Sequence, residues 1–229
     1  GQAEPDGPAG EQPEDQAFRY HNSLITLNGQ GEALGRYDKV KLVPFGEFLP
    51  FRSWLRPLGV DAIAAGSTDF TPGRPLDADY LPPLLPSHLP RPLPMVCYEV
   101  IFPGLFSRAM PAADWIVTVT NDAWFGATAG PYQHFFSARM RAIETGLPVV
   151  RVANTGISGV IDGHGRVLVQ TALNTSDVID MALPKPARRS QDDLNAASRF
   201  TPLLFFYILL ASWSLVATIA VRIARPKRV

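Results

Sequence analysis

Apolar residues fall along the chain in two rhythms, short β-branched runs and one long charge-free stretch. Residues 23–27, 115–120, 149–153, 159–161, 167–170 and 178–181 have the length and composition of buried strands. Asp162, Gly163, His164 and Gly165 lie between two of these runs and signal a hairpin turn. Over 131–146, PYQHFFSARMRAIETG, the pattern predicts a helix. Pro131 stands near its start, Phe136, Met140 and Ile143 share one stripe, and Gly146 is placed as the C-cap. Residues 82–94 carry six prolines, which exclude a helix or a central strand and predict an extended connection. Mixed strands and helix give an α/β fold class.

The charge-free stretch is 201–221, TPLLFFYILLASWSLVATIAV. About 20 apolar residues at 1.5 Å each cross a ~30 Å hydrocarbon core, so a transmembrane helix is predicted over 201–222. A linker over 191–200 precedes it and a basic tail over 223–229 follows. Arg222, Arg225, Lys227 and Arg228 abut the helix, whereas the approach carries Asp192 and Asp193 beside Arg188, Arg189 and Arg199. The positive-inside tendency then puts Val229 in the cytoplasm and residues 1–199 outside. At the other end, 1–17 is polar and has the composition of a disordered or loop segment. Lacking a charged n-region and an apolar h-region, it is not a signal peptide; the expectation is that the chain is a fragment of a longer protein.

With 229 residues, 46% of them hydrophobic, the chain can bury one core plus a membrane segment. Its formal net charge is zero, which gives no electrostatic support to a nucleic-acid partner. The single cysteine, Cys97, excludes an intrachain disulfide, and His21, His88, His134 and His164 never reach metal-ligand spacing. Only Lys39, Lys41, Lys185 and Lys227 among 21 basic residues are lysines.

Cys97 stands in PMVCYEVIFP, where a short apolar run enters the cysteine and Glu99 follows. A strand that delivers a thiol into a turn suits a nucleophile; a lone cysteine in an apolar run is also a common inert core residue. Lys39 and Lys41, on an alternating strand, project to one face, either as a solvated edge or as ammonium donors for an oxyanion. Glu47, between Pro44 and Pro50, occupies a fixed turn, as structural partner of a nearby cation or as an active-site carboxylate. Asn121 to Gly126, NDAWFG, follows a strand end. It lines a site there or forms an Asx turn with core aromatics.

Taken together, RYDKVKLVPFGEFLPF, MVCYEVIFP, TNDAWFGATAGPYQHFFSARMRAIETGLPVVRVANTGISGVID and the terminal hydrophobic helix resemble the apolipoprotein N-acyltransferase family, membrane-bound members of the nitrilase (carbon–nitrogen hydrolase) superfamily. The likeness spans roughly 18–225, and it implies a nitrilase-like αββα sandwich, incomplete here, with its catalytic part over 18–190. It also implies a Glu-Lys-Cys triad in which Cys97 is the nucleophile and Lys39 the lysine. Glu47, Tyr98 and Glu99 match supporting active-site positions, and Asn121, Trp124 and His134 are possible site lining. The triad glutamate has no match between Gly1 and Lys39.

The implied reaction moves an acyl chain from a phosphatidylethanolamine-type phospholipid, through a Cys97 thioester, to the amine of a diacylated apolipoprotein. It takes place outside the bacterial inner membrane, and no metal or organic cofactor is implied. Two alternatives remain: a membrane-tethered amidase-type C–N hydrolase using the same residues, and a catalytically dead binding domain.

Overall fold

The computed structural model describes residues 2–5, 18–50 and 69–187. They belong to the first of two compact units, 1–187; the second, 188–229, with the expected linker, transmembrane helix and tail, lies outside the described residues. Among the described residues no helix is long and apolar enough to cross a membrane.

Two small antiparallel ribbons come first. β1 (Gln2–Pro5) pairs with β2 (Phe18–His21), so part of the stretch expected to be loop is a strand. β3 (Ser23–Leu27) pairs with β4 (Ala33–Asp38). The central sheet has the order β5–β6–β7–β8–β9, formed by Pro92–Val96, Trp115–Asn121, Val149–Asn154, Gly159–Ile161 and Val167–Gln170. β5, β6 and β7 run parallel, and β8 and β9 return antiparallel. The β8–β9 hairpin closes where the sequence signals it: Gly165 adopts φ +79° and donates to the Asp162 carbonyl at 2.8 Å.

β5 begins at Pro92, inside the proline-rich connection. Its prolines are tolerated because, among the described residues, β5 is an edge strand paired on β6 alone, where a missing N–H leaves no ladder partner stranded.

Side chains alternate across the sheet. Leu93, Ile116 and Val149 form one registered row and Met95, Thr118 and Arg151 the next, all on the same face and all buried. Helix α1 (Gly130–Thr145) contributes Phe135, Ala138 and Ala142 to that core. Gly146 ends the helix at φ 72°, its N–H bonded to the Ala142 carbonyl at 2.9 Å, as the C-cap signal predicts.

Three sequence expectations are corrected. The buried stripe of α1 is His134, Phe135, Ala138, Arg141, Ala142 and Thr145, while Phe136 and Met140 are exposed, 54% and 38%. The helix turns its small and polar residues inward because His134 bonds to groups beneath it, as described below. Residues 178–181 are not a strand: Val178 is 88% exposed, while Ile179 and Met181 line a cavity with Trp115, Val150 and Val160. Their apolar character reports packing against the sheet rather than membership of it. Lys39 and Lys41 do not share a face. β4 ends at Asp38, and the chain turns so that Lys39 is buried, 1% exposed, and Lys41 exposed.

Candidate active site

The parallel strands β5, β6 and β7 all end on one edge of the sheet, where loops are free to line a site. Cys97 stands immediately after β5, Asn121 closes β6, and Asn154 closes β7.

Cys97 opens a 3₁₀ turn, Cys97–Ile101, and holds φ at +50°. A non-glycine residue in the left-handed region costs about 1 kcal/mol or more and persists only where its surroundings over-determine it. Glu99 provides the anchoring. Its carboxylate is fully buried and accepts from the backbone N–H of Val96 (2.7 Å), Val40 (2.7 Å) and Lys41 (3.0 Å), and from the Tyr37 hydroxyl (2.8 and 3.0 Å). One side chain thus ties the cysteine turn to the segment that carries Lys39. Burial pushes the Glu99 carboxyl above its ordinary range, opposed by the Val96 and Lys41 amides and the Tyr37 hydroxyl. Burial and the neighbouring Glu99 push the Tyr37 hydroxyl far upward, so Tyr37 stays a donor.

Lys39 is pinned in both backbone and side chain. Its N–H donates to the Asn22 carbonyl at 2.8 Å, and its carbonyl accepts from Gly73 at 2.8 Å. Its ammonium donates to both Glu47 oxygens, at 2.9 and 2.8 Å. Glu47 also accepts from Asn22 Nδ2 (2.6 Å) and the Val43 N–H (2.8 Å). The local turn is tight, with Phe45 at φ 62° and the Glu47 N–H on the Val43 carbonyl. Glu47 is thus the partner of a buried cation, Lys39. Lys41 instead places its ammonium over the Phe102 ring, 5.3 Å from the centroid.

The remaining expected residues divide. Tyr98 is half-buried and packs edge-on against Phe102 at 4.8 Å between ring centroids. Asn121 forms the Asx turn, accepting from Ala123 N–H at 3.2 Å, and also accepts from Asn154 Nδ2 at 3.3 Å. Trp124 is 72% exposed and so is not a core aromatic. His134 is buried, its Nε2 3.2 Å from the Cys97 carbonyl and its Nδ1 2.7 Å from Asp122 Oδ1.

Sequence reasoning marked the segment that holds Asp122 without giving that residue a role, and missed Arg151. Arg151, buried in β7, donates from Nη2 to Asp122 Oδ2 at 2.8 Å and from Nε to the Ile157 carbonyl at 3.1 Å. Gly156 abuts the same carboxylate, where a Cβ would collide with Asp122. The Asp122 carboxyl is raised by burial, but the hydrogen bond to His134 and the Arg151 charge hold it below its ordinary range. Burial lowers Arg151, against which Asp122 and Cys97 favour its charged form. A signal was present in the sequence: an arginine inside the apolar run VVRVA must be paired when buried.

Residues 7–191 match the carbon-nitrogen hydrolase family. The chain is 46% identical over 165 residues to the apolipoprotein N-acyltransferase of Agrobacterium fabrum, covering 72% of this chain and 30% of that protein. The protein of that name from Brucella melitensis is 44% identical over 168 residues, covering 73% and 31%. That from Rhizobium leguminosarum bv. trifolii is 37% identical over 204 residues, covering 89% and 36%. The chain therefore spans about a third of the length of these curated relatives. Among solved structures, a carbon-nitrogen hydrolase from Helicobacter pylori G27 is similar at TM-score 0.45 and 18% identity, covering 69% of this chain and 55% of that one. An amidase of the nitrilase superfamily from Nesterenkonia sp. AN1 is similar at 0.44 and 22%, covering 75% and 56%.

Proposed function

Because this chain belongs to the carbon–nitrogen hydrolase family, we propose that it is the cysteine-bearing part of an apolipoprotein N-acyltransferase, with Cys97 as nucleophile and Lys39 as oxyanion donor. The observation that carries the reading is the pairing of a strained Cys97 turn with an ammonium immobilised by Glu47, the two tied together through Glu99.

In the first step the Cys97 thiolate attacks the ester carbonyl of a phosphatidylethanolamine-type phospholipid. The carbonyl oxygen becomes an oxyanion. Glu47 engages the Lys39 ammonium, which has three donors, and at least one N–H is left for that charge. One such donor lowers the barrier by about 2.7–4 kcal/mol. Collapse expels the lysophospholipid alkoxide, which takes up the proton surrendered by the thiol, and leaves an acyl thioester. A general base carries that proton. The resemblance assigns this role to a glutamate that has no counterpart between Gly1 and Lys39.

In the second step the amine of a diacylglyceryl-cysteine attacks the thioester and loses a proton, forming an amide and restoring the thiol. A thioester suits this role because amines attack it faster than they attack an ester. The charge-free segment 201–221 would hold the site at the inner membrane, where both lipid-anchored substrates meet it at high effective concentration.

The test is a transfer assay with the complete protein, supplied with phospholipid and a diacylglyceryl-cysteine peptide. The reading expects lysophospholipid and N-acylated peptide in equal amounts. Release of ammonia from small amides, with no acylated peptide, would establish the hydrolase alternative instead.

A further inference from the structure

The Cys97 carbonyl, and not only its sulfur, is held from a distance. Arg151 bonds to Asp122 Oδ2, Asp122 Oδ1 meets His134 Nδ1, and His134 Nε2 meets the Cys97 carbonyl. The Cys97 carbonyl and the Asp122 carboxylate can both only accept, so holding the two at once takes a proton on each ring nitrogen of His134. Three elements supply the chain of contacts: β7, the turn after β6, and α1. All three side chains are buried: Arg151 and Asp122 at 1% exposure, His134 at 4%. Gly156 closes the space behind Asp122. A buried arginine, aspartate and histidine are costly to desolvate, and here they converge on one peptide group.

That peptide group joins Cys97 to Tyr98. It is trans, so its N–H points opposite to its C=O. Pulling the Cys97 carbonyl toward His134 therefore turns the Tyr98 N–H away from the buried network. This N–H belongs to the first turn of the 3₁₀ segment, where the helix itself supplies no acceptor. An N–H directly after a nucleophile, turned away from the buried network, is placed to receive the oxyanion formed there.

We propose that Arg151, Asp122 and His134 form a buried positioning chain that fixes the Cys97–Tyr98 peptide plane and so aims the Tyr98 N–H at the oxyanion. The inference rests on Cys97 being the acylated nucleophile, but not on the identity of the acyl donor. None of the three is a catalytic residue in this account; each acts through the peptide.

The test separates two reactions of one sulfur. Acylation of Cys97 by an ester passes through an oxyanion. Alkylation by iodoacetamide forms an S–C bond and expels iodide, with no oxyanion. In the complete protein, the burst of p-nitrophenolate from a p-nitrophenyl ester reports acylation. Alkylation is measured on its alkaline plateau, where thiol ionisation no longer limits. His134→Leu is expected to slow the burst on the order of 100-fold, the effect of losing one oxyanion donor, while alkylation stays within about twofold. His134→Gln retains an N–H that can reach the Cys97 carbonyl and is expected to keep at least about a tenth of the wild-type burst. An unchanged burst in His134→Leu overturns the proposal, as does a parallel loss of alkylation or a glutamine variant as slow as the leucine one. A wild-type burst with the aryl ester but no reaction with phospholipid would refute the donor assigned above and leave this inference standing.

Discussion

Lys39 and Lys41 stand two residues apart, yet one is buried against a carboxylate and the other rests on an aromatic ring at the surface. The sequence marks both as unusual in an arginine-rich chain, but period-2 alternation cannot separate them, because the strand ends one residue earlier. What separates them is the Glu99 carboxylate, which captures the N–H groups of Val40 and Lys41 from 59 and 58 residues away along the chain. Long-range contacts of that kind leave no local trace. Lys39→Arg keeps the charge but replaces a compact donor by a bulky planar fork. It is expected to leave less than a tenth of the single-turnover acylation rate, a barrier change above ~1.4 kcal/mol, whereas Lys41→Arg stays near wild type. Because Lys39 is buried, overpacking costs about 1–3 kcal/mol of stability, so rates are normalised to alkylatable Cys97. Glu99→Gln places an amide donor among N–H and O–H donors. We expect a loss of about 1–3 kcal/mol for the group left unsatisfied, read as a lower urea midpoint.

At the scale of elements, local chemistry was the legible part. The β8–β9 hairpin and the Gly146 cap follow from residues that lie within one turn of each other. The inward face of α1 did not, because apolar periodicity ranks Phe136 and Met140 above His134 and Arg141, and only the Asp122 network reverses that order. The strand expected at 178–181 failed for a related reason, since β-branched residues pack on a sheet as readily as in it. Asp162 offers a pH test of the hairpin. Burial raises its carboxyl, but the Arg166 backbone and side chain and the His164 N–H hold it below its ordinary value. A depressed folded value means stabilisation that is fully present above about pH 3.9, the unfolded value, and lost as pH falls through the folded one. Asp162→Asn removes the charge while keeping an acceptor. The partner Arg166 side chain is 73% exposed, so solvent screening limits the loss to about 1 kcal/mol at pH 7. In thermal melts the gap between wild type and variant is expected to close below pH 3; a gap of constant size from pH 7 to 3 would remove the carboxylate charge from the explanation.

For the whole molecule, the sequence motifs carried the family, because CYE and NDAWFG are separated in the chain but follow β5 and β6 at one sheet edge, and Glu99 ties the segment leading into LVPFGE to the cysteine turn. The orientation expected for a membrane span at 201–221 rests on the charges that flank it in the sequence. An alkaline phosphatase fused after Val229 is expected to be inactive and a fluorescent protein there bright; the reverse pattern would overturn a cytoplasmic C-terminus. Everything else depends on whether Cys97 takes up the acyl chain. The decisive measurement is the mass of the Cys97 peptide after the complete protein has been mixed with phospholipid alone, then with a diacylglyceryl-cysteine peptide. The account predicts a hydroxylamine-labile acyl adduct on Cys97 that disappears as the peptide is acylated, and no adduct in Cys97→Ala. Acyl transfer at full rate in Cys97→Ala, or a labile adduct on any other residue, would contradict it.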